Sequence, residues 1–144
     1  MYRYIVAIYL RLSVDDKRVE SMSIESQRLL LRKYAEILGD NVEIIEYVDN
    51  GYSGTNFERP AVQQLLTDVK TYKVNCILVK DFSRFGRNSI EVGYFTQQIF
   101  PLFGARFISV SDNYDSDEHK GDTGGIAVAV KYLVNEYYSR DLSV

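Results

Sequence analysis

Long apolar stretches are absent from this sequence of 144 residues. No apolar run approaches the roughly 20 residues of a membrane-spanning helix, and the N-terminus lacks the basic start and apolar stretch of a signal peptide. A lone cysteine, Cys76, permits no internal disulfide and, without a second cysteine or a nearby histidine, supports no zinc site. We therefore expect a cytoplasmic protein that binds no membrane, with Cys76 as a small core residue.

A strongly basic composition is also missing. The chain has 17 Lys and Arg against 20 Asp and Glu, a net charge of −3. Non-specific binding to nucleic acid relies on many basic side chains that neutralise phosphates, so the charge excludes a general nucleic-acid coat protein. Action on DNA is compatible with it only where basic groups gather around one site and the main binding surface lies elsewhere.

Short apolar runs alternate with helical patterns along the chain. Residues 5–10, 42–48, 75–79 and 106–110 are rich in β-branched or aromatic side chains, which is typical of strands. Helical spacing of apolar residues occurs over 23–38, from Pro60, from Asn88 to Pro101, and from Asp122 or Thr123. This alternation predicts a three-layer α/β domain, with a mainly parallel central sheet flanked by helices and a loop over 112–125.

Three arginine-containing segments follow predicted strands. They are residues 9–13 with Arg11, residues 53–60 with Arg59, and residues 83–87 with Arg84 and Arg87. Ligands of such sheets bind outside the carboxyl ends of the strands, so we expect the four arginines to converge on Ser13. A guanidinium stays charged at any working pH, and its planar fork matches phosphate oxygens. Several of them around one hydroxyl predict attack on a phosphodiester.

Each segment has an ordinary explanation when it is taken alone. Arg11 and Ser13 are two apart on a strand and share a face, yet this spacing also occurs at solvated strand ends. Arg59 lies at a predicted helix start, where backbone N–H groups favour an anion, but a capped loop has the same sequence. Arg84 and Arg87, three apart, are compatible with surface charge. The functional interpretation depends on their combination.

Together, and in this order, the segments resemble the catalytic domain of the serine recombinases, the resolvase and invertase superfamily. The resemblance covers nearly the whole chain. It includes the Y-x-R-x-S opening, Gln27 on the first helix, the D-x-x-x-S-G loop from Asp49 with Ser53, and the S-R-F-G-R stretch that ends at Arg87 and is similar to R-x-x-G-R. Residues 58–60 and 107–115, and the extended spacing between Ser13 and Gln27, are similar to the large serine recombinases of transposons.

The resemblance implies a role for each matching residue. Ser13 would be the nucleophile, and the groups that bind and stabilise the reacting phosphate would be Arg11, Arg59, Arg84 and Arg87. The supporting residues would be Gln27, Asp49, Ser53, Asp81 and Ser83. One position departs from the family pattern, because Ser83 stands where small resolvases commonly have an aspartate. Whether Asp81, two residues earlier, takes over its role stays open at this stage.

The implied reaction is a transesterification on DNA. Ser13 would attack a phosphodiester, leaving a 5′-phosphoseryl link and a free 3′-hydroxyl, and reversal would rejoin exchanged strands. Because the ester retains the bond energy, the family needs neither ATP nor a metal, and we expect no cofactor. The base that deprotonates Ser13 is left open among an arginine, a carboxylate, water and the DNA itself. The single histidine, His119, lies in the predicted acidic loop and is not expected to take part.

The resemblance also implies partners and domain limits. Residues 1–122 would form the catalytic core, and residues 123–144 would begin a long oligomerisation helix. Its candidate contact residues are Val130, Leu133, Val134 and Tyr137. A DNA-binding region is expected beyond residue 144, because the helical pattern of residues 135–144 has no stop signal. The expected partners are double-stranded DNA in the bacterial cytoplasm or nucleoid and further copies of the chain, as a dimer and a synaptic tetramer.

Two other interpretations fit the sequence less well, an enzyme with a tyrosine nucleophile and a non-catalytic module. Tyrosine recombinases and type I topoisomerases call for a His-x-x-Arg arrangement, whereas His119 is followed by Lys120, Gly121 and Asp122. A non-catalytic flavodoxin-like receiver or ligand-binding module would share the β/α alternation, and its acidic residues are partly imitated by Asp81 and the acidic pair at 15–16. That alternative leaves the four arginines unexplained, so we favour the enzyme.

Overall fold

The computed structural model describes residues 3–12, 23–50 and 58–119. Its strands are β1 (Tyr4–Leu12), β2 (Val42–Asn50), β3 (Cys76–Val79), β4 (Arg106–Ser109) and β5 (Tyr114–Asp115). Its helices are α1 (Ile24–Glu36), α2 (Pro60–Lys70), α3 (Phe82–Phe85), α4 (Ser89–Tyr94) and α5 (Phe100–Leu102), with a π-helical turn at Phe95–Ile99 and a 3₁₀ turn at Ser116–His119. The strand order is β2-β1-β3-β4-β5. All neighbours are parallel except the antiparallel pair β4 and β5.

Buried apolar residues cover both faces of this sheet. On one face Val6, Ile8 and Leu10 of β1 pack with Leu31 and Ala35 of α1. On the other face, α2, α3, α4 and α5 pack over alternate residues of the same strands. Successive side chains of a strand point to opposite faces, which is why one apolar run supplies both cores. The predicted three-layer α/β fold is confirmed.

Three helices begin where sequence signals place them. The Ser23 hydroxyl accepts the N–H of Ser26 and caps α1. Pro60 is the first residue of α2, a position whose N–H has no partner within the helix. The side chain of Asn88 accepts the N–H groups of Ile90 and Glu91 at the start of α4. The predicted helix starts are therefore correct at these three places.

Some elements differ from the prediction. The four-residue helix α3 is too short to leave a periodic pattern, and the π-helical turn interrupts the helix predicted from Asn88 to Pro101. The predicted loop over 112–125 contains β5, whose Asp115 bonds to Arg106 of β4. The predicted last helix, with its candidate contact residues, lies outside the described residues.

An aromatic cluster packs α3 against the sheet and α5. The ring centroids of Phe85 and Phe107 are 5.2 Å apart, and those of Phe82 and Tyr114 are 5.4 Å apart. Phe100 of α5 lies 5.7 Å from Phe85. Such packing anchors both ends of α3 to β4 and to its neighbours. No helix among the described residues is both long and apolar enough to cross a membrane.

Candidate active site

Arg11 lies near the carboxyl end of β1, and its side chain is fully buried, with 0% exposed. Its Nε donates to the carbonyl oxygen of Arg84 at 3.0 Å, and its Nη2 donates to that of Ser83 at 2.7 Å. Arg11 shares a face of β1 with Ala7 and Tyr9, which directs it toward α3. A buried guanidinium therefore ties the central strand to the carbonyl groups of α3.

Gln27 of α1 holds the backbone of Arg11 from the other side. Its Nε2 donates to the Arg11 carbonyl at 3.1 Å, and its Oε1 accepts the Arg11 N–H at 3.3 Å. Gln27 is itself fully buried. This pair of hydrogen bonds fixes the strand end that leads, two residues later in the sequence, to Ser13.

Arg59 immediately precedes α2, and its side chain is also buried, with 2% exposed. Its Nη1 donates to the Tyr9 hydroxyl at 2.7 Å and to the Arg84 carbonyl at 3.4 Å, while its Nη2 donates to the Phe85 carbonyl at 2.6 Å. The guanidinium groups of Arg11 and Arg59 thus meet at one acceptor, the carbonyl oxygen of Arg84. Three elements, β1, α2 and α3, converge there.

Asp49, at the carboxyl end of β2, caps α2. Its Oδ1 accepts the N–H of Ala61 at 2.9 Å, and its Oδ2 accepts the N–H of Val62 at 3.0 Å. The same Oδ2 accepts the hydroxyl proton of Tyr9 at 2.7 Å. A carboxylate at a helix N-terminus satisfies backbone donors that have no partner within the helix. Asp49 therefore fixes both the start of α2 and the Tyr9 hydroxyl.

Tyr9 is a site residue that the sequence analysis missed, although the Y-x-R-x-S motif contains it. Burial raises the pKa of Tyr9 above its ordinary value, and the hydrogen bond to Asp49 raises it further, although Arg59 acts in the opposite direction. The phenol therefore keeps its proton, donates a hydrogen bond to Asp49 and accepts one from Arg59. Its spacing of two from Arg11 on the same strand face was the signal that could have found it.

The N-terminus of α3 carries its own carboxylate, Asp81. Its Oδ1 accepts the Ser83 hydroxyl at 2.6 Å and the Arg84 N–H at 3.0 Å, and its Oδ2 accepts from the Lys80 ammonium at 3.1 Å. Burial raises the pKa of Asp81, but the Ser83 hydrogen bond and the charges of Lys80 and Arg84 outweigh burial and hold it below its ordinary value. Asp81 is therefore ionised at neutral pH.

A second carboxylate reaches the same helix end. Oδ2 of Asp112, in the turn between β4 and β5, accepts the N–H of Phe82 at 2.9 Å and the hydroxyl of Ser109 at 2.7 Å. Carboxylates thus hold the N-terminus of α3, and guanidinium groups hold its carbonyls. This short helix is fixed at both ends by side chains from distant parts of the chain.

The predicted site residues fall into three groups. The structure brings together, at the carboxyl ends of β1, β2 and β3, the residues Arg11, Gln27, Asp49, Arg59, Asp81, Ser83 and Arg84. Arg87 lies three residues after Arg84 between α3 and α4 and is exposed. Ser13 and Ser53 lie outside the described residues. Over 3–12, 23–50 and 58–119, no group of three or more His, Cys, Asp or Glu is arranged to hold a metal ion.

Comparison with known proteins defines the class. The family model described as the N-terminal domain of resolvase matches residues 6–143. The chain is similar to the crystal structure of the N-terminal catalytic domain of TP901-1 integrase, with a TM-score of 0.72 and 31% identity over 97% of this chain and 99% of that one. It is also similar to a resolvase family site-specific recombinase from Streptococcus pneumoniae, with a TM-score of 0.68 and 28% identity over 98% and 91% of the two chains.

The chain belongs to the resolvase family, and its fold is that of serine recombinase catalytic domains. This confirms the family predicted from the sequence and displaces the flavodoxin-like module. A curated relative is a provisionally named DNA recombinase of Bacillus subtilis (strain 168), 30% identical over 82 residues. That match covers 57% of this chain but 16% of the relative, so the chain spans about a sixth of that protein.

Proposed function

We propose that this chain is the catalytic part of a site-specific DNA recombinase that excises or integrates a mobile element. Ser13 is the nucleophile, and the reaction is a metal-free transesterification through a 5′-phosphoseryl intermediate. Membership of the resolvase family supports the reaction class. The mobile-element assignment rests on the similarity of residues 58–60 and 107–115 to the transposon recombinases.

The observation that carries the proposal is the shared acceptor of Arg11 and Arg59. Both guanidinium groups donate to the carbonyl oxygen of Arg84, at 3.0 and 3.4 Å. Their charges are buried beside β1, and Ser13 is the residue that follows β1 in the sequence. Although the chain has a net charge of −3, fixed positive charge is therefore concentrated at this edge of the sheet.

In the proposed reaction, the Ser13 oxygen forms a bond to phosphorus, and the bond from phosphorus to the 3′-oxygen breaks. The serine proton goes to a base, and the leaving oxygen takes up a proton to become a 3′-hydroxyl. Preorganised positive groups stabilise the charge that develops on the phosphoryl oxygens, an effect worth about 3 kcal/mol for a single donor. We assign direct phosphate contact to Arg84 in α3 and to Arg87 in the segment between α3 and α4.

Arg11 and Arg59 have a supporting part in this mechanism. Arg11 and Arg59 bond to the carbonyls of α3, so they hold the turn that presents Arg84 and add a positive field. Gln27 and Asp49 keep these two arginines in place, through the backbone of Arg11 and through Tyr9. We assign Ser53, in the loop after Asp49, a supporting role as well.

Assembly and target binding complete the proposal. We propose that residues 1–122 are the catalytic core and that residues 123–144 begin a helix through which the protein forms a dimer and a synaptic tetramer. The contact residues on that helix are Val130, Leu133, Val134 and Tyr137. Double-stranded DNA is held mainly by a region beyond residue 144, in the bacterial cytoplasm or nucleoid.

A cleavage assay tests the proposed function. The full-length protein is given the DNA site that it selects from a randomised pool, nicked near the cleavage point so that a short fragment is released and the intermediate accumulates. We expect protein joined to a 5′ end, a free 3′-hydroxyl, the same yield in EDTA, and no adduct with Ser13→Ala. An adduct that survives Ser13→Ala, or cleavage that EDTA abolishes and Mg²⁺ restores, would contradict the proposal.

A further inference from the structure

The carboxylate of Asp81 caps α3 at its N-terminus. Its side chain is 21% exposed and lies at the start of the helix that carries Arg84. One of its oxygens, Oδ1, binds both the Ser83 hydroxyl and the Arg84 N–H. A single oxygen atom therefore fixes both the side chain of Ser83 and the backbone of Arg84.

This contact matters because α3 has little stability of its own. A helix of four residues lies far below the roughly 12 residues at which isolated helices become marginally stable. Its position is set by Asp81 and Asp112 at the N-terminus and by Arg11 and Arg59 at its carbonyls. Any change at these contacts should shift the direction in which the Arg84 side chain leaves the helix.

The direction of the Ser83 hydrogen bond is also informative. Because the carboxylate of Asp81 accepts the hydroxyl proton at 2.6 Å, the Ser83 oxygen has only its lone pairs to offer to other groups. It can then accept an N–H from a guanidinium, but it cannot donate to a phosphate. Asp81 and Ser83 together therefore present an acceptor of negative character beside Arg84.

We propose that Asp81 is a positioning residue for strand cleavage, whose negative charge orients Ser83 and Arg84 toward the reacting phosphate. The proposal rests on the proposed function. It also means that Asp81, acting through Ser83, takes the role of the aspartate that small resolvases commonly have at the position of Ser83. The alternative is that Asp81 is merely a helix cap.

Asparagine separates the two explanations. It caps helices about as well as aspartate, but it carries no charge, and hydrogen bonds to an ionised acceptor are roughly twice as strong as neutral ones. Asp81→Asn therefore retains the cap and removes the charge. The matched control is Asp68→Asn, because Asp68 is a buried carboxylate bonded to Tyr47 and Gln64 on the far half of α2.

A second variant moves the carboxylate instead of removing it. The Ser83 oxygen lies 2.6 Å from Oδ1 of Asp81, so an aspartate at position 83 places its carboxylate close to the same point. The double variant Asp81→Asn with Ser83→Asp should therefore recover activity if a negative charge is what Arg84 requires. A cap lost at position 81 would not be restored in this way.

The experiment measures single-turnover adduct formation by the full-length protein on the nicked substrate, together with DNA affinity. We expect Asp81→Asn to slow adduct formation about 30-fold, within the range for a misplaced catalytic group, with DNA affinity and the unfolding midpoint close to wild type. Ser83→Ala should slow it about 5-fold or more and add little in the Asp81→Asn background. The transposed double variant should return to within about 3-fold of wild type.

The outcomes separate the two proposals. Wild-type rates for Asp81→Asn, an equal loss in Asp68→Asn, or no recovery in the transposed variant would overturn the role of Asp81. If Asp81→Asn does not fold, a wild-type rate for Ser83→Ala would overturn it instead. If wild type forms no adduct, or Ser13→Ala still forms one, the proposed function fails, and the role of Asp81 fails with it.

Discussion

The Tyr9 hydroxyl donates a 2.7 Å hydrogen bond to the Asp49 carboxylate, and this buried contact joins β1 to the start of α2. The same hydroxyl accepts from Arg59. Tyr9→Phe should therefore lower the unfolding free energy by about 1–3 kcal/mol, because the buried side chains of Asp49 and Arg59 each lose one hydrogen-bond partner. It should also slow cleavage about 10-fold or more, because Arg59 loses one of its anchors. Urea unfolding and single-turnover cleavage measure the two effects.

Tyr47→Phe is the matched control for Tyr9→Phe. The Tyr47 hydroxyl donates to Asp68 at 2.6 Å in an equally buried setting, without contacting an arginine of the site. We expect a similar loss of stability and a cleavage rate within about 2-fold of wild type. A drop in cleavage as large as that of Tyr9→Phe would mean that stability, not the position of Arg59, limits the reaction.

Arg11→Lys tests the planar fork of the buried guanidinium. Arg11 donates from two nitrogens to two different carbonyls, and an ammonium on a flexible stem does not reproduce this geometry. We expect cleavage to fall about 100-fold, as when one fixed donor is lost from an active site. Arg3→Lys, at an arginine whose side chain is 58% exposed, should leave the rate unchanged. Cleavage by Arg11→Lys within about 3-fold of wild type would refute this role.

The protonation of Glu46 should lower the stability of the protein in acid. Burial raises the pKa of Glu46, but hydrogen bonds from Arg32 and Arg28 outweigh it, so the pKa in the folded protein lies below its ordinary value of 4.5. The unfolded chain therefore binds more protons, and the contribution of Glu46 is complete above pH 4.5 and is lost as the pH falls through the lowered value. The difference in unfolding free energy between wild type and Glu46→Gln should thus shrink from about pH 6 to about pH 3. A difference that grows as the pH falls would contradict a lowered pKa for Glu46.

Arg106 should be the most important ion-pair residue for stability. Its side chain is 20% exposed, and it binds Asp115, at 11% exposed, and the Tyr4 hydroxyl. Arg106→Met should lower the unfolding free energy by about 3 kcal/mol, because it leaves a mostly buried carboxylate without its positively charged partner. Arg3→Met breaks an exposed pair with Glu43 and should cost less than about 1 kcal/mol. Equal losses in urea unfolding would show that the burial of the Arg106 pair adds nothing.

Much of the fold could be predicted because its signals are local. The apolar runs of β1 to β4 and the helix-start signals at Ser23, Pro60 and Asn88 lie within short windows of sequence. The carboxyl ends of parallel strands meet at one edge, so the convergence of Arg11, Arg59 and the α3 turn also follows from the strand pattern. β5 was missed because it has only two residues, and one of them, Asp115, is bound by Arg106 of β4.

The contacts inside the site could not be predicted in the same way. Arg11 and Arg59 bond to backbone carbonyls of residues 83–85, and a carbonyl acceptor has no signature in the sequence. The hydrogen bonds of the Tyr9 hydroxyl could not be predicted either, since a tyrosine that only packs and one that also forms buried hydrogen bonds have the same signal in the sequence. The joint use of one Asp81 oxygen by Ser83 and Arg84 is likewise a property of the folded turn.

The most direct measurement is the position of the protein–DNA bond. Trypsin cuts after Arg11 and Lys17, and the resulting peptide of residues 12–17 contains Ser13 as its single hydroxyl residue. Mass spectrometry of the trapped, nuclease-trimmed adduct should find the nucleotide phosphate on this peptide and on no other. A phosphate attached to a tyrosine or to any other serine would contradict the account.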